Sequence, residues 1–537
     1  MSKRPLSFWG WGYADRFPDQ QSRGALAEQV AALLGFQPLE LAEPPAVADI
    51  HVPDTRLDIP PEFKAFATDN AINRAAHTYG KSYRDIIRGL SGNFDKAPDL
   101  IVFPRDENDV IAVLDWCSRE EIAVVPFGGG TSVVGGIECS GRTQDGVVCM
   151  DMRGMNKVLA IDEVSQLAHI QAGATGPQIE DELQKSGLTL RHYPQSFEFS
   201  TLGGWIATRA GGHFATRYTH IDDLVNSVSM VTPQGEYKTA RVPASGAGPD
   251  PKALVLGSEG TLGVITDAWM RVRKKPTFRA TATVGFENFD DGVAACRDVA
   301  QARLYPSNCR LLDKREAMLN QLPSDGKHVL LLGFESAYRA QNGLMNDAML
   351  IAERHGGVAI EGPFFRSEGE RAPGSTMANS WKRSFFDAPY LHTSLVSMGV
   401  IVDTFETACT WDRFQETHQD IIRSVRAAMQ RATGRKGIVT CRFTHVYPDG
   451  PAPYYTFLAQ ATPGQETDQW AEIRWAAADA LSRNGATITH HHGVGRLHRP
   501  WYEKEVPLTF RNALIATKQS LDPVGILNPG ALVDPVS

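Results

Sequence analysis

Three clusters of glycine constrain this chain more than any other feature. The first, Pro126-Phe127-Gly128-Gly129-Gly130-Thr131-Ser132-Val133-Val134-Gly135-Gly136, follows the apolar run Ala123-Val124-Val125, which reads as a strand. The second is Ser200-Thr201-Leu202-Gly203-Gly204 and the third Gly257-Ser258-Glu259-Gly260-Thr261-Leu262-Gly263. In the first cluster Val133 stands where a GxGxxG motif needs its last glycine, and no Gly-Lys-Ser/Thr ending follows, so neither the dinucleotide fingerprint nor the P-loop applies. Consecutive glycines beside Thr131 and Ser132 still expose backbone N–H groups and hydroxyls, which suits a pyrophosphate nest, although a plain tight turn uses the same residues. Three such loops, each beside a strand or helix, point to a backbone wrapped closely around one long, flat, phosphate-bearing molecule.

The 537 residues predict two or three domains. A net charge of −8 argues against a protein that coats nucleic acid. Seven scattered cysteines without a CxxC argue against a disulfide framework or a zinc ribbon. No apolar segment follows the basic start Met-Ser-Lys-Arg, and no stretch is long enough to span a bilayer, so a cytoplasmic location is expected, with peripheral membrane contact left open. Residues 1–95 are Pro-rich and irregular, and Trp9-Gly10-Trp11-Gly12-Tyr13 is too aromatic for a solvated tail, so it is expected to pack on a later domain.

From residue 96 to 275 short apolar runs alternate with amphipathic segments: a helix over 109–121, strands over 123–127, 147–150, 159–162 and 168–172, and a helix over 177–185. Lys274-Lys275-Pro276 marks a boundary. A second α+β unit over 276–484 includes strands over 280–286 and 329–335, a loop over 362–374 and a helix over 465–484. Residues 485–537 form a closing segment, beginning with a strand over 486–489 that leads into three histidines.

The loop set resembles the flavin domain of the vanillyl-alcohol oxidase type, which binds FAD without a Rossmann fingerprint. The resemblance implies an α+β fold with a separate substrate-capping domain. Carried onto this chain, the cofactor contacts fall on Pro126, Gly128, Gly129, Gly130, Thr131 and Ser132, on Ser200, Thr201, Gly203 and Gly204, and on Glu259, Gly260, Gly263 and Ile265. Several relatives attach the flavin through a histidine where this chain has Thr131, so non-covalent FAD is expected.

Thr489-His490-His491-His492-Gly493-Val494-Gly495-Arg496 is the sharpest single motif. Adjacent histidines on a strand point in alternating directions and cannot all face one site. A metal site needs convergent ligands with a carboxylate or thiolate, and none is near in sequence, so no metal is expected. A structural cluster and a proton-transfer group both fit, since a histidine titrates near neutrality.

The run, with Gly10-Trp11-Gly12-Tyr13, Glu198-Phe199-Ser200-Thr201, Arg310-Leu311-Leu312-Asp313, Phe405-Glu406-Thr407, Trp411-Asp412-Arg413 and Thr440-Cys441-Arg442, resembles the alkyldihydroxyacetonephosphate synthase family over most of the chain. The resemblance implies exchange of the acyl group of acyl-dihydroxyacetone phosphate for a fatty alcohol through a flavin N5 adduct, a step in ether lipid synthesis. It assigns catalysis to Tyr455 and to His492 with His490 and His491, and substrate binding to Arg310 and Arg442. It also implies a small-molecule or lipid substrate and a homodimer. Where the family carries an arginine for the substrate phosphate, this chain has His392, a weaker ligand that Lys382 or Arg383 would have to supplement. That departure keeps a rival open: an FAD-dependent dehydrogenase or oxidase of a 2-hydroxy acid or other alcohol. A flavin-binding scaffold is a third reading, which leaves the histidines without a role.

Overall fold

The computed structural model describes residues 5–139, 146–214, 216, 219–367 and 376–534. Three of the four sheets among the described residues organise the molecule, the fourth being a two-stranded pair of Leu188–Thr189 and Arg273–Lys274. Strands Leu100–Val102, Val147–Asp151 and Ala123–Phe127 pair in parallel, with Ala67–Thr68 antiparallel at the edge. Beside them lies a five-stranded antiparallel sheet in the order Val158–Asp162, Leu167–Gln171, Val264–Arg271, Val225–Thr232, Gly235–Lys238. The parallel strands are apolar on both faces, as strands covered on both sides must be. Helix Glu107–Arg119 starts where the Asp106 carboxylate accepts the N–H groups of Asn108 and Asp109, and it buries Val110, Val113, Leu114 and Cys117. Helix Gly176–Lys185 opens with a capping box between Thr175 and Gln178.

The third sheet has seven antiparallel strands in the order Val358–Arg366, Phe278–Phe286, His328–Ser336, Asn308–Leu312, Ile438–Val446, Pro451–Gln460, Val400–Glu406. Helices Phe289–Gln301, Asn342–Arg354, Trp411–Thr433 and Glu466–Arg483 cover one of its faces. Helix Thr376–Val396 brings Trp381 and Phe385 onto Leu312 and Leu331 of the other face. The loop expected from residue 362 is strand as far as Arg366, while 368–374 lie outside the described residues. The strand expected over 486–489 is absent: these residues are irregular and tied to neighbours by Thr487 and Ile488.

Both ends of the described chain return to the core. Trp9 packs edge-on to Phe17, and the Trp11 N–H donates to Thr393 Oγ1 at 3.1 Å, which seats the aromatic N-terminal motif on helix Thr376–Val396. At the other end Leu527 bridges to Val124, and the Asn528 side chain donates to Gly136 O and Glu259 O, which ties the first and third glycine clusters together. Among the described residues no helix is long and apolar enough to cross a membrane.

Candidate active site

The first glycine cluster leaves strand Ala123–Phe127 and lies against the second. A Cβ on Gly128 would sit 2.3 Å from Thr201 Oγ1, and one on Gly129 2.2 Å from Phe199 O, so only glycine lets the two backbones approach this closely. The N–H groups of Gly129 through Val133 donate no hydrogen bond among the described residues, and Thr131 Oγ1 makes none either. A row of unspent donors beside a hydroxyl fits the pyrophosphate of FAD. Ser132 faces the other way: its Oγ accepts from Gly136 N at 2.9 Å and its carbonyl from Lys81 N at 2.6 Å.

The second cluster spends its polar groups on the protein, and the third spends most of its own, the buried Ser258 hydroxyl having no partner among the described residues. Ser200 Oγ accepts from Trp205 Nε1 at 2.7 Å, Thr201 caps helix Leu202–Thr208, and Gly203 N donates to Ala172 O. Gly204 N takes the Thr201 hydroxyl as its partner. Gly260 abuts the Pro126 ring, while Gly263 and Ile265 hold Val264–Arg271 against Val225–Thr232. Glu259, at a φ of 50°, accepts from Val494 N at 2.6 Å and Gly495 N at 2.7 Å, and burial lifts its pKa to about 7. Its side chain thus anchors the segment that follows the histidines.

The histidines themselves do not alternate. They curl around the buried Glu406, whose carboxylate accepts the N–H of His490, of His491 at 3.1 Å and of His492 at 2.9 Å, together with the Thr489 hydroxyl at 2.8 Å. Burial works to raise the Glu406 pKa, but the surrounding histidines and Thr489 reverse this and hold the carboxyl well below its usual range. Burial lowers His490 to about 3 and holds His491 and His492 below the ordinary imidazole value. Both premises of the strand reading therefore fall. A carboxylate lies beside the run, and ring nitrogens of His445, His490 and His491 converge within 4.8 Å of one another. Nothing in the sequence near the histidines announces Glu406, because it arrives from the end of strand Val400–Glu406.

Next to this loop is one face of the seven-stranded sheet. Register pairs Leu312 with Arg442, Arg442 with Tyr454 and Tyr454 with Glu406, which puts Arg310, Arg442, Tyr454 and Glu406 on a common face. Arg442 pairs with Glu316, which also takes the Thr440 hydroxyl. Arg310 donates to His213 O at 3.1 Å and has no carboxylate partner among the described residues. Both guanidinium carbons lie 5.3 Å from the Trp381 ring, and both Nε atoms are buried without a partner among the described residues. Burial, then the neighbouring Arg442, pulls the Arg310 pKa down to about 9. Two guanidiniums against one carboxylate make a face with a vacant demand for an anion. Aromatic rings extend from it: Phe385, Phe386, Phe197 and Tyr193 touch in succession.

Two expectations need correction. Tyr455 is on the opposite face, fully buried, stacked on Phe405 with its hydroxyl 3.1 Å from His418 Nδ1. Its neighbour Tyr454 is the one that lies at the site. Arg442 is 4.0 Å above the Tyr454 ring, His491 and His492 lie at 6.0 and 5.5 Å, and the hydroxyl donates to Thr404 Oγ1 at 2.8 Å. His392 does not join the arginines either. Its Nε2 faces Val402 O at 3.1 Å, and burial holds its pKa below the ordinary value, so it has no charge to offer an anion. Lys382 is close enough to His213, beside Arg310, to help depress that ring's pKa after burial and Arg310 itself.

Comparison with known proteins agrees with this architecture. Residues 98–241 match the family model "FAD binding domain" and residues 275–532 the model "FAD linked oxidases, C-terminal domain". A solved structure of p-cresol methylhydroxylase superposes with a TM-score of 0.68 at 15% identity, covering 95% of this chain and 97% of that one, which shows the vanillyl-alcohol-oxidase-type fold. A solved alkyldihydroxyacetonephosphate synthase superposes with a TM-score of 0.80 at 26% identity, covering 98% of both chains. The alkyldihydroxyacetonephosphate synthase of Dictyostelium discoideum is 31% identical over 532 residues, 93% of this chain and 85% of that protein. The chain therefore belongs to the alkyldihydroxyacetonephosphate synthase family of FAD-binding enzymes.

Proposed function

We propose that this enzyme exchanges the acyl group of acyl-dihydroxyacetone phosphate for a fatty alcohol. The observation that carries the reading is the site's double character: a buried arginine pair of which one member, Arg442, has a carboxylate partner, continuous with a wall of aromatic rings. An amphiphilic substrate with a phosphate at one end and a chain at the other needs both. A small 2-hydroxy acid needs only the first, which makes the oxidase reading the weaker one.

In this reading Gly129 through Val133 and Thr131 hold the pyrophosphate of a non-covalent FAD, which supplies electron-pair chemistry at the substrate carbon when bound. Arg310 and Arg442 bind the phosphate, and Phe385, Phe386 and Phe197 flank the chain. Tyr454, which replaces Tyr455 in this role, works with His491 and His492 on the protons. Residues 96–275 act as the FAD-binding unit, 276–484 as the cap and 485–537 as the segment that returns the histidines. A homodimer, a cytoplasmic location and peripheral membrane contact complete the reading. Exposed Leu508 and Phe510 at the start of helix Leu508–Leu521 support the membrane contact.

The test is anaerobic absorbance of the holoprotein with palmitoyl-dihydroxyacetone phosphate and hexadecanol, and separately with 2-hydroxy acids. Release of palmitate and formation of the ether without bleaching of the flavin band is expected. Bleaching by a hydroxy acid with no palmitate release would sink the proposal.

A further inference from the structure

The ring nitrogens around His490 form a chain whose tautomers one backbone carbonyl determines. His220 Nδ1 is 3.1 Å from Arg209 O, and a carbonyl only accepts, so Nδ1 carries the hydrogen and Nε2 of the neutral ring is bare. His490 Nε2 lies 3.1 Å from that bare nitrogen and must donate to it, which leaves His490 Nδ1 bare. His491 Nδ1, at 3.0 Å, must then donate to His490, which leaves His491 Nε2 as an acceptor at the end of the chain. The Tyr447 hydroxyl oxygen, 2.8 Å from His490 Nε2, is a second acceptor for the same N–H. His445 stands outside the chain, because Gly212 O holds its Nε2 and the Thr444 hydroxyl its Nδ1. His491 stacks on Tyr454 at the inner end, and His220 is half-buried at a solvent-accessible contact at the outer end.

We propose that His491, His490 and His220 form a directional proton relay from the Tyr454 face of the site to solvent. The relay rests on the proposed function only for the origin of its proton. In that reaction the C1–O bond to the acyl group breaks, the fatty acid leaves as its carboxylate, the C1–O bond to the alcohol oxygen forms, and the alcohol's hydroxyl proton must depart. The proton enters at His491 Nε2, while His491 Nδ1–H passes to His490 Nδ1 and His490 Nε2–H to His220 Nε2. His220 then releases one proton to water, and the rings reorient before the next turnover. Glu406 positions the chain by gripping the backbone of His490 and His491, and burial keeps both rings neutral, the state that such a relay needs.

Two measurements test the relay. Nitrogen-15 NMR of the histidine-labelled holoenzyme should report Nδ1–H tautomers for His220 and His491 and an Nε2–H tautomer for His490. The reverse order, or a stoichiometric metal ion on these rings, overturns the proposal. In the exchange assay His220→Phe should lower kcat roughly 10- to 100-fold, part of what general acid–base groups contribute. KM and flavin absorbance should not change, the solvent isotope effect should increase, and added imidazole should restore turnover. An unchanged kcat and isotope effect also overturns it. A wild-type enzyme without exchange activity refutes the proposed function and not the relay, which the tautomer measurement decides alone.

Discussion

Strand Pro451–Gln460 shows two chemistries back to back. On one face Tyr454 looks onto Arg442, His491 and His492, and the guanidinium Nε atoms of Arg310 and Arg442 nearby have no partner among the described residues. On the other, Tyr455 lies among Phe405, Phe457, Cys441 and the helix residues Ile421 and Val425, with its hydroxyl hydrogen-bonded to His418. Both tyrosines are buried, so burial does not tell a reactive group from a core one. The difference lies in satisfaction: the Tyr455 side is closed by the contact with His418, and the Tyr454 side leaves two buried guanidinium Nε atoms open among the described residues. A shift of one residue in register would exchange the two.

The hardest test of this contrast is a matched pair of variants. Tyr454→Phe should cost about 10² to 10⁴ in kcat, the usual range for a general acid–base group, with FAD still bound. Tyr455→Phe should leave kcat within about twofold. The opposite ranking in steady-state assays would invert the assignment of the faces.

The underpaired charge on the reactive face can be pushed further. Glu316→Gln removes the one carboxylate bound to Arg442, and breaking a buried ion pair costs roughly 3–5 kcal/mol in urea unfolding. Sulfate should restore part of the loss by occupying the vacated charge, and a variant as stable as wild type and indifferent to sulfate would show that the arginines are not held apart for an anion.

On the flavin side, Gly129→Ala drives a Cβ to 2.2 Å from Phe199 O, a backbone atom. We expect FAD affinity to fall by an amount equivalent to about 1–3 kcal/mol, the usual cost of overpacking, measured by flavin fluorescence on reconstituting apoprotein. Unchanged affinity would mean that the first two clusters need not meet to hold the cofactor.

Two glutamates that grip adjacent backbone should respond to pH with opposite signs. Glu259 titrates near 7 when folded against an ordinary 4.5, so between those values the folded state binds the extra proton and stability declines as pH rises. Glu406 lies below its ordinary value, so its contribution is present above about 4.5 and is lost on acidification. Thermal unfolding across pH 4.5 to 7 should show a shallower decline in Glu259→Gln than in wild type. A slope unchanged by that substitution would remove Glu259 as its source.

The smallest effect expected is on the closed face. Tyr455→Phe should lose about 1 kcal/mol of stability, the net worth of one hydrogen bond. A loss of several kcal/mol would mean that the Tyr455–His418 contact supports more of the sheet than its geometry suggests.

Much of this was legible from residues alone. Strand Ala123–Phe127 and helix Gly176–Lys185 carry periodicity and caps that local chemistry makes nearly independent of context. The glycine clusters pointed to a tight backbone around a phosphate-bearing molecule because three of them occur together, each beside a strand or helix. What failed depended on contacts distant in sequence. The irregular path of 486–489 follows from ties to Thr407 and Glu505, and the curl of the histidines from Glu406, more than eighty residues upstream. His392 looked like a replacement for a phosphate ligand because its sequence position matched, yet its Nε2 faces Val402 O.

The sequence by itself determined the family, the FAD-binding fold and the residues available for chemistry, because loop composition and motif spacing survive without coordinates. Only the tertiary structure decided which of Tyr454 and Tyr455 faces the site, which glycine cluster keeps its donors free, and how three adjacent histidines come to share one carboxylate. The physical reason is that a residue's chemistry is set by its partners, and here those partners come from strands far apart in the chain.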